Sequence, residues 1–80
     1  MRNVNRLDES YAKIAEIHKR YFPDMREGQF LLNFMGQMKR KHGDPFFWES
    51  DRFVDYAEEY ARNSSPYFQG GDLLGGENNV

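Results

Sequence analysis

Two histidines, His18 and His42, are the side chains best suited to move a proton or hold a metal ion near neutral pH. His18 stands at a helix-stripe position where an aliphatic residue would be ordinary, and His42 closes the cationic run Lys39-Arg40-Lys41-His42. Neither has a chemical partner at a useful spacing. Glu16 falls on a different helical face from His18, and the cations beside His42 repel a metal ion. His18 therefore reads as a half-buried imidazole satisfied by one hydrogen bond. Asp24, Arg26 and Glu27 are suited to orient a charged substrate, but Asp24-Met25-Arg26-Glu27 has the form of a capping box, which accounts for both acids. There is no cysteine, which removes thiol catalysis, thiolate zinc sites and disulfides. Nor is there a nucleophile and base pair, a glycine-rich phosphate loop or a paired metal-ligand motif. The chain reads as a non-enzyme with no cofactor and no metal.

Recognition is left, and two groups of residues suit it. Lys39, Arg40, Lys41 and His42, joined by Arg2, Arg6, Lys19 and Arg20, form an anion-binding candidate. The Lys39–His42 and Lys19–Arg20 runs fall at helix C-termini, where cations offset the dipole and phosphate is disfavoured. A net charge of −2 weighs further against general nucleic-acid affinity, which comes mainly from neutralising phosphates. The second group is Asp44-Pro45-Phe46-Phe47-Trp48-Glu49-Ser50-Asp51. Rings at successive positions cannot all lie on one side of a regular element. Two of them are expected to close the core between the second and third helices, leaving Trp48 or Phe47 as an anchor for another protein, because aromatics dominate interface hot spots. Tyr67 and Phe68 are further candidates for the same role.

The elements that must position these residues follow from periodicity. Val4, Leu7, Tyr11, Ile14, His18 and Tyr21 recur at alternating steps of three and four, which predicts a first helix ended by Pro23. Asn3 or Asn5 is placed to cap its start. The capping box starts a second helix at Asp24, whose apolar residues wrap more than one face, as in the central helix of a small bundle. Gly43 is its left-handed C′ residue. Gly28 and Gly36 lie inside that helix at a cost, and close helix approach is the structural reason expected for them. Ser50 caps a third helix running to about Arg62, with Phe53, Val54, Ala57, Tyr60 and Ala61 inward. The fold class is all-α: a compact three-helix bundle over residues 4–62 with an irregular aromatic connector before helix 3. From Asn63 onward the Ser, Gly and Asn content predicts a flexible C-terminal tail over 63–80.

A chain of 80 residues is one domain at most and leaves a thin stability margin. Seven Phe, five Tyr and one Trp are many rings for so small a core. No apolar run reaches signal or membrane-spanning length, so the protein is expected to be soluble and cytoplasmic, with no membrane partner.

The run Pro23-Asp24-Met25-Arg26-Glu27-Gly28-Gln29-Phe30-Leu31-Leu32-Asn33, with the helix before it and the Asp44 to Asp51 segment after it, resembles a type of small bacterial and phage protein without an assigned activity. The shared features are an initial helix, a Pro-Asp-x-Arg-x-x-Gln-x-Leu segment and an Asp-Pro-Phe-aromatic-x-Glu-acid turn, over residues 6 to about 60. The resemblance implies a compact helical fold and such a source, and supplies no catalytic residue. The functional expectation is a protein-interaction module, binding another protein or itself through Phe47, Trp48, Tyr67 or Phe68. The alternative is a nucleic-acid accessory protein using Lys39, Arg40, Lys41 and His42.

Overall fold

The computed structural model describes residues 3–68. Helix α1 spans Asn5–Tyr21, α2 spans Glu27–His42 and α3 spans Ser50–Ser64, with a single 3-10 turn, Pro45–Phe47, between the last two. The all-α three-helix bundle is present. Its course is up, down, up: Ser65 Oγ, just past α3, donates to the Tyr21 carbonyl at the end of α1 at 2.7 Å, so α1 and α3 finish together. At the other end Arg6, Glu9 and Ser10 of α1 line one groove with Ser50 and Asp51 of α3.

The core is built largely from rings. Phe22 stacks on Tyr60 at 4.9 Å and tilts against Phe30 at 5.3 Å, while Phe34 meets Phe53 edge-on at 5.3 Å. Ala57 and Ala61, four residues apart and fully buried, give α3 a small-residue face, and α3 packs most extensively on α1. The packing centre is therefore α3, not α2. Helix α2 buries Phe30, Phe34 and Met38 and leaves Leu32 in water.

The inward face of α1 is Ile14, Ile17 and Tyr21. At 3.6 residues per turn it lies about 80° around the helix from Val4, Leu7 and Tyr11. The apolar stripe of this helix is thus two stripes, and only one is buried.

The helix starts differ from expectation. Val4 stands at the N-cap of α1 with no side-chain cap, and Asn3 Oδ1 accepts from the Asn5 N–H at 2.9 Å in the turn just before it. Asp24 does not cap α2. The Met25 N–H donates to the Phe22 carbonyl at 3.1 Å, and the Met25 carbonyl accepts from His18 Nε2 at 2.7 Å, which holds this stretch in a turn. Arg26 is extended, and the first helical bond runs from the Phe30 N–H to its carbonyl. Ser50 is likewise the first helical residue and not the cap, since the Phe53 N–H donates to Glu49 O at 2.9 Å. Helix α3 continues two residues beyond Arg62, to Ser64. Beyond it Phe68 packs on Tyr21 with ring centroids 5.8 Å apart. Leu73, Leu74 and Val80 of the expected flexible tail lie outside the described residues.

Candidate functional site

The connector before α3 holds one 3-10 turn, Pro45–Phe47, between stretches of irregular backbone. Gly43 ends α2 at φ 85° and ψ −175°, backbone that is essentially reserved for glycine. Asp44 then caps the next turn, its Oδ1 accepting from the Phe46 N–H at 3.0 Å, with Pro45 in the first position where a missing N–H costs nothing. The Phe47 N–H donates to Asp44 O at 3.0 Å and the Trp48 N–H to Pro45 O at 3.1 Å. A 3-10 turn has three residues per turn, so successive side chains leave about 120° apart. Three consecutive rings must therefore point three ways.

One points in and two point out. Trp48 is half-buried against the core, edge-on to Tyr56 at 4.8 Å and tilted against Phe34 at 6.0 Å. Its Nε1–H donates to the His42 carbonyl at 3.4 Å, which satisfies the polar end of the indole. Phe46 is 84% exposed and Phe47 74%, their rings set edge to face at 5.0 Å. Only one ring closes the core, where two were expected. Phe47 keeps its place as an exposed candidate, Trp48 does not, and Phe46 joins it. The signal for Phe46 is in the sequence: Asp44 with Pro45 specifies a 3-10 start, and that geometry fixes the spread of the rings.

The basic cluster is divided. The His42 ring stacks on Tyr56 at 3.8 Å, and its Nε2 lies 2.9 Å from Glu59 Oε1 on α3. Lys41 Nζ pairs with the other Glu59 oxygen. These contacts hold the Glu59 carboxyl below its ordinary range, first through the hydrogen bond from Lys41 and then through that from His42. Lys39 and Arg40 stay exposed on the last turn of α2. Two of the four residues in the Lys39–His42 run are thus engaged in tying α2 to α3.

The remaining candidates fall apart in space. Tyr67 is exposed, and Phe68 is half-buried on the core. Both follow the end of α3, whereas Phe46 and Phe47 precede its start, which separates the pairs by about 20 Å at 1.5 Å per residue. They do not form one surface. His18 stacks on Phe30 at 4.6 Å and makes its hydrogen bond to Met25, which is structural duty. A Cβ added at Gly28 or Gly36 would meet nothing within 4 Å, so neither glycine serves a close helix approach.

A groove of about 410 Å³ lies between α1 and α3, with Lys13 and Glu58 among the residues that line it. Burial, and next the Asp55 charge, push the Glu58 carboxyl above its ordinary range, against the opposing pull of Arg62 and Lys13. Among the described residues, no three His, Asp or Glu side chains converge as metal ligands. No helix among the described residues is long and apolar enough to cross a membrane. Comparison with protein-family models, curated proteins and solved structures finds no match to this chain.

Proposed function

We propose that this chain is a non-catalytic protein-interaction module whose contact surface is centred on Phe46 and Phe47. The observation that carries the reading is their exposure on a turn that needs neither ring for its own packing. Removing two large rings from water is a main source of binding free energy, and aromatic anchors concentrate it. The turn is held at one end by the Asp44 cap and at the other by Trp48, so the rings are presented from a fixed backbone with little ordering cost. The nucleic-acid reading is weaker, because Glu59 engages Lys41 and His42.

The test is capture of proteins from an extract of the source cells by the wild-type chain and by a Phe46→Ala/Phe47→Ala variant of matched thermal stability. The reading expects a protein retained by the wild type and released by the variant. Identical capture by both, or binding of mixed-sequence DNA that depends on Lys39 and Arg40, would overturn it.

A further inference from the structure

We infer that the groove between α2 and α3 around Gly36 is a binding site for a carboxylate, an inference independent of the reading of Phe46 and Phe47. Asn33, Gly36, Gln37 and Arg40 recur at steps of three, one and three, which puts them on one face of α2. Tyr60 and Ser64, four residues apart on α3, line the same groove, about 500 Å³ in volume. Two contacts join the helices there. Asn33 is the side-chain hydrogen-bond partner of Tyr60, and Ser64 Oγ donates to Gln37 Oε1 at 3.3 Å. The second bond occupies the carbonyl end of the Gln37 amide and leaves its NH2 group to donate to a ligand.

Gly36 is explained by this groove and by nothing in the packing. It lies in the interior of α2, where glycine is unfavourable relative to alanine, and a Cβ on it would meet no neighbour within 4 Å. Without a side chain at this position, a ligand reaches the helix backbone between Asn33 and Arg40. The charge of the groove then selects the ligand. Arg40 is its one ionised side chain, and no Asp or Glu lines it, whereas the groove between α1 and α3 carries both signs. No ion pair or hydrogen bond engages Arg40 among the described residues. A guanidinium presents a planar pair of donors that fits a carboxylate. A phosphate monoester would bring nearly two charges at neutral pH against this single cation. Leu32, 73% exposed, adds apolar lining suited to the carbon stem of an organic acid.

NMR titration of the full isotope-labelled chain with propionate, with acetylated and amidated glutamate, and with inorganic phosphate, all at constant ionic strength, tests the site. The side-chain amides of Asn33 and Gln37 and the Arg40 Nε–H report binding, and the Arg62 Nε–H is the internal control for pairing at any exposed guanidinium. The expected result is saturable shifts at the three groove groups, with a Kd on the order of 1–10 mM for the carboxylates, as one exposed charge pair supports. Arg40→Gln and Gly36→Leu, both at exposed helix positions, keep the helical circular dichroism, and each weakens binding at least about tenfold. Equal affinity for the two carboxylates assigns the site to a free acid, and tighter binding of the blocked glutamate assigns it to an acidic side chain of a peptide. Absence of saturable shifts, shifts at Arg62 as large as those at Arg40, unchanged binding by Gly36→Leu, or tighter binding of phosphate than of either carboxylate would overturn the inference.

Discussion

Gly36 sits in the interior of α2 with open space where a Cβ would stand. Glycine there costs about 1 kcal/mol of helix propensity relative to alanine. Gly36→Ala should therefore raise the thermal midpoint by about 4–8 °C in a domain of this size, measured by circular dichroism. The sequence shows the cost of this glycine but not whether a neighbouring helix repays it. That depends on where α3 lies, and α3 is held in place by distant rings. Gly43 is the opposite case, since its role follows from its place after the cationic last turn of α2. Trp48 and the two phenylalanines differ in the same local way. Truncating Trp48 removes a ring packed on Phe34 and Tyr56 and should cost about 3 kcal/mol in urea unfolding, whereas Phe46→Ala or Phe47→Ala should change stability by less than about 0.5 kcal/mol.

The helices themselves were legible from periodicity, and their ends less so. The capping-box pattern at Asp24 lost to a turn fixed by His18, a contact across seven positions that no local rule anticipates. The stripe of α1 misled for a related reason. Two apolar faces overlap within one period, and only the placement of α3 selects the one carrying Ile17. Between elements, two carboxyls on α3 make opposite predictions. Glu59 is held low by Lys41 and His42, so its contribution is complete above the ordinary carboxylate pKa of about 4.3 and disappears as pH falls through the folded value beneath it. The Tm deficit of Glu59→Gln at pH 6 should shrink as the pH is taken below about 4. Glu58 is raised by burial, so its charge is a penalty at neutral pH, relieved as pH falls through its raised value. Glu58→Gln should melt higher than the wild type at pH 7 and no higher near pH 3.

At the scale of the whole molecule, a small core does not enclose all the rings this chain carries, and four of them, Tyr11, Phe46, Phe47 and Tyr67, stay exposed. Composition makes the surplus visible, but only the fold shows where it goes. The parallel course of α1 and α3 puts the start of α1 and the turn before α3 at the same end of the bundle. Tyr67 and Phe68 finish at the other end, which is why the aromatic candidates divide. The central claim is that the run Phe46-Phe47-Trp48 gives one of its three rings to the fold and leaves two for a partner. Trp48 is the only tryptophan, so its emission reports the inward position directly. The decisive measurement is urea unfolding of Phe46→Ala/Phe47→Ala followed by Trp48 fluorescence, at a concentration low enough to keep the chain monomeric. The account predicts a native emission spectrum and an unfolding free energy within about 0.5 kcal/mol of the wild type. A red-shifted Trp48 with a loss of more than about 2 kcal/mol would mean that the two rings belong to the core, and would contradict it.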